Sequence, residues 1–514
     1  MTDEAETVRL LHRADWTQLR LHAQLADGST VLVAPGKRYR FETAGYITGC
    51  DGTRPWKISD EEEDVDGEVR WISGPEPPLR ELLCPAWLLT GSRLEVQGRT
   101  RACGRDALQI VVTRRPSLYE RNLSALRNRS AQAVVDAELG FLLRLVQPGW
   151  SDESEITELV TADFDPDIDP GQFQPPAGSL RGESFGEVFS GGNVGWRAAK
   201  TAAGLAAGGF GLLARHGPTR PDHDAGDVIP AIPAKDPAPE VSPDGPPVGP
   251  PVAADLLNLL QAGGPIAFTA TMHEWMDFGA LASQTPAPAR RAGFGGLGYL
   301  MDIVSEGPGA VQQTSTVRIS GPRQYQIDRA YQPRQGPVSI ACDGERLSKV
   351  YADKITIGPA EPLQDDIGEL ADPSWLLQCW LAGGESVSVG GRPSYRMSVA
   401  RRHDYPLIAM WFRGVVAVVD AELGCIVRLT SYIGTKAVRR LELENLMPAA
   451  GDFRVDLPED LPVVVAGPFD DFPRRPRSPG QPVTLGGIIA RQAAAGAGRA
   501  ARNLLGRLVP RDPV

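Results

Sequence analysis

The chain has 514 residues, more than one compact core usually contains, so its length alone favours roughly two to four domains. Hydrophobic residues make up 42% and charged residues 23% of the sequence, which excludes wholesale disorder and a collagen-like chain. The net charge of −11 has the wrong sign for a protein that wraps a phosphate backbone. No nucleic-acid partner is therefore expected.

The sequence gives no sign of a metal, a cofactor or export. The six cysteines form no CxxC pair, so neither a disulfide framework nor a structural metal is expected. Residues 1–10 carry three acids and no basic segment before an apolar run, which predicts a cytoplasmic chain without a signal peptide. The longest uncharged run, 202–214, would span only about 20 Å as a helix, against roughly 30 Å of hydrocarbon. No transmembrane helix is predicted, so any association with a membrane would be at its surface.

An internal duplication organises the chain. Five blocks recur in the same order with offsets of 284 to 292 residues, and the last is identical in both copies, VVDAELG. A duplication of this kind predicts two copies of one fold. The paired blocks are 29–42 with 315–328, 47–54 with 339–346, 85–89 with 373–377, 104–115 with 391–402, and 134–140 with 418–424.

The duplication divides the chain into two domains and two connecting segments. We call 7–176 the first repeat and 265–467 the second repeat, which carries an inserted loop near 279–300. Residues 177–264 are predicted to hold an Ala/Gly-rich helix and a Pro-rich linker, because so much proline leaves little apolar surface to bury. Residues 468–514 form a basic Ala/Gly-rich tail.

Apolar and polar residues alternate along much of each repeat, which is typical of antiparallel strands with one covered face. The segments 82–89 and 373–381, each with a tryptophan, are predicted to be helical, with proline in the first turn. We therefore predict an α+β fold of two tandem curved antiparallel sheets, each with a few covering helices on its concave side. The clearest strands are 20–25, 94–96, 108–112 and 415–419.

Several motifs resemble the lipoprotein-carrier superfamily of LolA, RseB and the mycobacterial LppX and LprG proteins. The motifs are the turn and strand 35–41, Asp51-Gly52 followed by Trp56, the hairpin 135–145, and the ending 169–173. The resemblance implies a half-open β-barrel in each repeat, whose cavity receives acyl chains or lipid. The RseB-like members imply a regulatory protein partner instead.

The VVDAELG block allows two interpretations. Asp136 with Glu138, and Asp420 with Glu422, are two residues apart and would share one face of a strand as a carboxylate pair. Alternatively, the aspartate begins a hairpin turn that the final glycine closes. We favour the turn.

Other candidates for chemistry have simpler structural explanations. Cys50 and Cys342 occupy equivalent positions, but no nearby histidine would make a thiolate, so core packing is favoured. The glycine pattern at 293–298 lacks the flanking strand of a dinucleotide site. The acidic run 60–66 could attract a divalent cation but is typical of a solvated loop. The pair 403–404 could belong to a catalytic triad, yet no nucleophile elbow exists, so no enzyme is predicted.

The duplicated tryptophans are the best candidates for ligand binding. A large aromatic residue that both copies retain either packs a helix on the sheet or lines a cavity between them. The ligand-cavity hypothesis names Trp87, Leu88, Trp375, Leu376, Tyr39 and Tyr325.

We predict a non-enzymatic binding protein without cofactor or metal, which holds an apolar or lipid ligand or a partner segment in two related cavities. The alternative is an RseB-like regulatory scaffold that binds a protein and no lipid. The tail would contribute an element that binds a membrane surface or a protein partner. Its basic residues are Arg491, Arg499, Arg502 and Arg507.

Overall fold

A computed structural model describes most of both repeats and short parts of the connecting segments. Predictions for 60–66, 195–216, 279–300, 403–404 and 468–514 lie outside the described residues. The described residues are 3–59, 79–115, 130–148, 154–176, 179–181, 237–240, 247–264, 267–277, 310–329, 338–361, 363, 365–400, 402, 414–449 and 453–465.

The first repeat forms an eleven-stranded sheet with the order β11-β5-β4-β3-β2-β1-β10-β9-β8-β7-β6, and each neighbouring pair is antiparallel. Its strands are β1 Leu21–Leu25, β2 Thr30–Ala34, β3 Arg38–Glu42, β4 Tyr46–Asp51, β5 Pro55–Ser59, β6 Ser92–Ala102, β7 Arg105–Arg114, β8 Ser130–Asp136, β9 Leu142–Pro148, β10 Ser154–Phe164 and β11 Leu180–Arg181.

The second repeat forms a twelve-stranded sheet with the order β18-β19-β20-β21-β22-β12-β13-β14-β15-β16-β17-β23. The short β23 runs parallel to β17. The strands are β12 Phe268–Asp277, β13 Ala310–Gly321, β14 Gln324–Arg329, β15 Ser339–Asp343, β16 Arg346–Val350, β17 Ile355–Pro359, β18 Trp380–Val389, β19 Arg392–Ala400, β20 Gly414–Asp420, β21 Ile426–Ile433, β22 Lys436–Pro448 and β23 Val463–Val465.

The two sheets share one order over ten strands, from β5 to β6 in the first and from β16 to β18 in the second. In each, the first strand of the repeat lies between the second strand and the last long strand, so that β1 is flanked by β2 and β10 as β12 is flanked by β13 and β22. Neither sheet closes on itself among the described strands, and the predicted α+β class is confirmed. The repeats differ in the length of their first two strands, since β1 and β2 have 5 residues each, whereas β12 and β13 have 10 and 12. They also differ at one edge, where β11 pairs with β5 but β17 lies between β16 and β23.

Short helices accompany each sheet. The predicted helix at 82–89 is interrupted at Cys84, because the residue before a proline is disfavoured in the α conformation. The predicted helix at 373–381 ends at Gln378, and Trp380 and Leu381 belong to β18. The helices are α1 Asp3–Arg13, α2 Leu79–Leu83, α3 Ala254–Ala262 and α4 Asp365–Ala371, with 3₁₀ helices η1 Trp16–Gln18, η2 Pro85–Leu89, η3 Pro170–Phe173 and η4 Pro373–Gln378.

Helices α1 and α3 were not predicted. Helix α3 lies within 177–264, the segment assigned to helix and linker, directly before the second repeat. It buries Leu256, Leu257 and Leu260, which lie on one face of a helix of 3.6 residues per turn. Helices α1 and α3 contact each other, and η2 contacts η4. The helical elements of the two repeats therefore meet between the sheets.

The helical contacts join the two repeats in one hydrophobic core. A single cluster of buried side chains includes Leu11 of α1, Trp87 of η2, Leu260 of α3 and Trp375 of η4. Residues from the inner faces of both sheets belong to the same cluster, among them Val33 and Ile319. Each repeat thus contributes to packing that the other completes.

Candidate functional site

The VVDAELG block forms a turn around a buried carboxylate. The Asp136 side chain has no exposed surface, and its Oδ1 accepts the backbone N–H groups of Glu138 at 3.0 Å and Leu139 at 2.7 Å. Arg105 pairs with both oxygens of Asp136 and also reaches Glu138, with Nη2 2.9 Å from Oε2. The block is therefore a turn, and an arginine neutralises its acids.

The second copy repeats this arrangement. Asp420 accepts the N–H groups of Glu422 at 2.9 Å and Leu423 at 2.7 Å, and Arg392 donates to it from Nε at 2.5 Å. Burial alone would raise the pKa of Asp420, but the hydrogen bonds from Arg392 and the two amides outweigh it, so the pKa lies below its usual range. The same balance lowers the pKa of Asp136. Neither carboxyl group is suited to general acid catalysis near neutral pH.

Each turn also lies against the helix that precedes the sheet of its repeat. Gly140 has φ +81°, and a Cβ atom there would overlap the carbonyl oxygen of Leu10 in α1. Gly424 has φ +67°, and a Cβ atom there would lie 3.2 Å from the carbonyl oxygen of Gly263, just after α3. The glycine is therefore required for the positive φ and, in the first repeat, for close approach of the helix. The identical block is explained by structure alone.

Two arginines at equivalent positions cross between the repeats. Arg402 of the second repeat donates to the carbonyl oxygens of His12 and Ala14 at the end of α1, the latter at 3.2 Å. Arg115 of the first repeat lies beside Gly263 at the end of α3, and its Nη2 is 2.5 Å from Oδ1 of Asp372. A cation at a helix C-terminus also interacts favourably with the helix dipole. Each arginine thus lies at the end of the helix that precedes the other repeat's sheet.

The 3₁₀ helices η2 and η4 are joined by hydrogen bonds at the same junction. The Gln378 amide donates from Nε2 to the Thr90 hydroxyl at 2.5 Å, and the backbone N–H of Gly91 donates to Ser374 Oγ at 2.9 Å. The Thr90 hydroxyl lies 3.4 Å from the Ser374 carbonyl oxygen, to which it donates. These contacts link residues more than 280 positions apart.

His12 lies at the junction in a buried position. Its Nε2 is 3.3 Å from the carbonyl oxygen of Cys379 in the second repeat. Burial, and then the nearby Arg402 charge, lower the pKa of His12 to about 3. The ring is therefore neutral at ordinary pH, and Nε2–H donates to the carbonyl oxygen.

The residues of the ligand-cavity hypothesis lie in the packed core. Tyr39, Tyr325 and Trp375 are each 1% exposed. The indole N–H groups of Trp87 and Trp375 donate to the carbonyl oxygens of Glu81 and Glu369, at 3.2 and 3.0 Å. Leu88 and Leu376 are likewise fully buried. All six side chains of the hypothesis belong to the hydrophobic core.

A small cavity lies beside Trp87, at the junction of the repeats. It has a volume of about 30 Å³ and is partly open to the surface. Trp16, one of its walls, packs edge-on against Tyr39 with 5.9 Å between ring centroids. Of the six hypothesised residues, Trp87 lines the cavity. The full lining is Ala14, Asp15, Trp16, Thr17, Leu83, Cys84, Ala86, Trp87, Gln378, Trp380 and Arg402.

Sequence reasoning missed most of this lining. Trp16, Trp380 and Arg402 come from distant parts of the chain, and neither tryptophan lies in a repeated block. Of these three residues, only Arg402 lies in a repeated block, since it closes 391–402. The duplication therefore indicated core residues more than cavity residues.

The two cysteines at equivalent positions lack the lowered pKa of a reactive thiol. Cys50 and Cys342 are free cysteines, and burial raises the pKa of both thiols, that of Cys50 to about 11. Within the described ranges, no group of three His, Cys, Asp or Glu residues could hold a metal ion. No described helix has the length and apolar character needed to cross a membrane.

Comparison with known proteins gives similarities of structure. No family model and no curated protein sequence matches the chain. The chain is similar to a LolA superfamily protein from Nitrosomonas europaea, with 9% identity over 40% of this chain and 94% of that chain and a TM-score of 0.18. It is similar to lipoprotein LppX from Mycobacterium tuberculosis, with 10% identity over 39% and 94% and a TM-score of 0.22.

A third similarity is to a chain of the Pseudomonas aeruginosa MucA/MucB complex, with 17% identity and a TM-score of 0.23. It covers 35% of this chain and 63% of that chain. The LolA superfamily and LppX are among the proteins that the sequence resemblance named.

Proposed function

We propose that the chain is a non-enzymatic binding protein whose two repeats act together as a scaffold for a protein partner. The observation that supports this function is the filling of the expected ligand hollows by Tyr39, Tyr325 and Trp375, each 1% exposed. Pockets for small molecules usually have about 300–1,000 Å³. The cavity beside Trp87 has about 30 Å³, far less than an acyl chain requires. A hollow of about 370 Å³ on the outer face of the first sheet is lined mostly by polar and charged side chains, among them His22, Arg40 and Glu42.

The junction supports a scaffold rather than two independent carriers. The crossed contacts of Arg115 and Arg402 and the pairing of Thr90 with Gln378 join the repeats through one core. Such a continuous core makes opening of one hollow costly, because the other repeat forms part of its wall. Binding surfaces on the outside of the paired repeats remain accessible without that cost.

A lipid carrier is the second candidate, in line with the sequence resemblance. Its supporting observation is the apolar inner face of both sheets, where Val31, Val33, Val317 and Ile319 are fully buried. An acyl chain could contact these residues only if the side chains that bury them moved away from the sheet. The lipid function therefore requires a conformational change that the scaffold does not.

Native mass spectrometry of the purified full-length chain separates the two functions. A scaffold gives the mass of the polypeptide alone, and organic extraction of the sample releases no fatty acid. A carrier retains adducts of acyl or lipid mass. Recovery of such adducts in near-stoichiometric amount would overturn the scaffold in favour of the carrier.

Site-specific photo-crosslinking tests for a partner at the junction. A benzophenone amino acid replaces Gln18, which is exposed on η1 next to the cavity-lining Thr17. The matched control replaces Gln97, exposed on β6 and outside the cavity lining. We expect one discrete crosslinked protein in source cells from position 18 and a weaker band or none from position 97. Equal, diffuse labelling from both positions would contradict a partner at the junction.

The proposed role of the tail in binding a membrane surface or a protein partner has its own test. Deletion of 485–514 should abolish either vesicle co-sedimentation or partner capture if the tail is a binding element. Unchanged behaviour in both assays would remove the tail from the proposed function. The residues concerned are Arg491, Arg499, Arg502 and Arg507.

A further inference from the structure

The hollow on the outer face of the first sheet, called the outer hollow below, has a volume of about 370 Å³. This volume is within the range of small-molecule pockets. Its lining includes Leu32 of β2, Arg40 and Glu42 of β3, and Asp167 and Gln172 from the segment after β10. Because charged and polar side chains predominate, the outer hollow suits a polar or charged ligand.

The second repeat has a guanidinium group at the equivalent place. With the offset of 286 residues between the first pair of repeated blocks, Leu32 corresponds to Arg318 and Glu42 corresponds to Asp328. Arg318 Nη2 lies 2.9 Å from Oδ2 of Asp456 and 3.9 Å from Oδ2 of Asp328. One guanidinium group therefore lies between a carboxylate of the sheet and a carboxylate of the segment beside it.

Backbone contacts identify Gln172 as the counterpart of Asp456. Arg40 Nη1 donates to the Gln172 carbonyl oxygen at 3.1 Å. Gln326, which corresponds to Arg40, donates from Nε2 to the Asp456 carbonyl oxygen at 3.5 Å and accepts the Asp456 N–H at 3.2 Å. The segment that follows the last long strand is thus held against the same position of each sheet.

Arg40 does not replace the guanidinium group of Arg318. It occupies the position of Gln326, and it pairs with Glu42 as Gln326 donates to Asp328. The position of Arg318 itself is taken in the first repeat by a leucine, which has no polar group. The space of a guanidinium group in the second repeat is therefore open in the first.

The outer hollow retains acceptors for a guanidinium group. Arg40 contacts Oε1 of Glu42, so Oε2 is available to a ligand. Asp167 is exposed, and its carboxylate has no ion pair or hydrogen bond with the described residues. Gln172 offers its amide oxygen at the position of a carboxylate in the second repeat. Arg40 and Glu42 balance each other's charge, so Asp167 leaves an excess of negative charge among these groups.

We propose that the outer hollow binds the guanidinium group of arginine, either as the free amino acid or as a side chain of another chain. Arg318 reaches two carboxylates from one nitrogen, so one ligand group can likewise reach Glu42 and Gln172. A guanidinium group has five N–H donors in one plane and can contact several acceptors together. An ammonium group has three donors on a compact, strongly hydrated charge and should bind more weakly.

Purified chain and small compounds test the guanidinium site, so the test does not depend on the proposed scaffold function. The full-length chain is labelled with ¹³C at isoleucine methyl groups, because Ile168 also lines the outer hollow. Its resonance is assigned by its absence in the Ile168→Val variant. The ligand is N-acetyl-arginine N-methylamide, and the equivalent citrulline compound is the uncharged control of the same shape. We expect a saturable shift with arginine and at least about tenfold weaker binding of citrulline.

Free L-arginine distinguishes the two sources of the guanidinium group. Tighter binding of the capped compound supports a side chain within a protein as the ligand. Tighter binding of the free amino acid supports a small-molecule ligand, whose charged amino and carboxyl groups then contribute to affinity.

Three variants test the position of the site. Leu32→Arg introduces the arginine of the second repeat and should abolish the shift, because its own guanidinium group fills the outer hollow. Gln132→Arg adds the same charge at an exposed position of β8 outside the lining and should keep the affinity within about twofold. Asp167→Asn removes one carboxylate and should weaken binding about two- to fivefold. Circular dichroism confirms that each variant is folded.

Several outcomes would overturn the proposal. They are the absence of a saturable shift, equal affinity for the citrulline compound, and equal binding by Leu32→Arg and Gln132→Arg. If Leu32→Arg fails to fold, unchanged affinity in Asp167→Asn overturns the site instead, because that residue is exposed and outside the strands.

Discussion

The two sides of the repeat junction have equivalent arginines at helix ends, but these arginines make different contacts. Arg115 and Arg402 occupy equivalent positions, and both lie at the end of the other repeat's helix. Arg115 forms an ion pair with Asp372, whereas Arg402 stacks on Trp380. The cavity lies on the Arg402 side.

Two sequence differences account for this asymmetry. With the offset of 288 residues that relates 85–89 to 373–377, Asp372 corresponds to Cys84 and Trp380 corresponds to Ser92. The Arg402 side thus lacks the aspartate, and the Arg115 side lacks the tryptophan. The ion pair with Asp372 neutralises the charge of Arg115. Arg402 instead donates hydrogen bonds to helix carbonyl oxygens and stacks on an aromatic ring. Duplication therefore preserved the junction, and divergence at two positions made its sides unequal.

Removal of the two arginines should reveal the largest difference in stability between the two sides of the junction. Arg115→Met leaves the Asp372 carboxylate, whose side chain is 3% exposed, without its cation, and should cost about 3–5 kcal/mol. Arg402→Met removes hydrogen bonds to backbone carbonyls and should cost about 1–3 kcal/mol. Urea unfolding of both variants measures the difference. The comparison fails if Arg402→Met proves the more destabilising.

The paired turn glycines offer a second comparison with a smaller effect. Gly140→Ala and Gly424→Ala both place a side chain at positive φ, which costs about 1–2 kcal/mol. At Gly140 the new Cβ also overlaps the Leu10 carbonyl oxygen and displaces α1, whereas at Gly424 the nearest atom lies at 3.2 Å. We expect Gly140→Ala to lower the unfolding midpoint clearly more than Gly424→Ala. Equal midpoints would show that α1 is not held by this turn.

Local sequence patterns predicted the sheets well, because alternation and turn residues act over a few positions. The strands around Val111 and Val416 and the VVDAELG turns follow from such patterns. The junction does not follow from local patterns, because its contacts join distant residues. His12 and Cys379, for example, are 367 positions apart. Which face a helix covers depends on the docking of both repeats. The duplication therefore indicated what is shared, and the cavity arises where the copies differ.

The smallest effect on stability is expected for His12, which lies on the Arg402 side of the junction. Its folded-state pKa of about 3 is below the unfolded value near 6.5, so the unfolded chain binds the extra proton between these pH values. Stability due to the neutral ring is thus fully present above about pH 6.5. It is lost as the pH falls, by at most about 1.4 kcal/mol per pH unit.

His12→Gln keeps an N–H donor for the Cys379 carbonyl oxygen and does not titrate. We expect the dependence of unfolding free energy on pH between 5 and 6.5 to become flatter in this variant by up to about 1.4 kcal/mol per unit. His22→Gln, on the exposed outer face of β1, is the matched control and should retain the wild-type slope. Asp136 and Asp420 have lowered pKa values, so they take up protons only below the pH range of this measurement. Identical slopes for the wild type and His12→Gln would mean that the ring reaches solvent, and that the Arg402 side is more open than its contacts indicate.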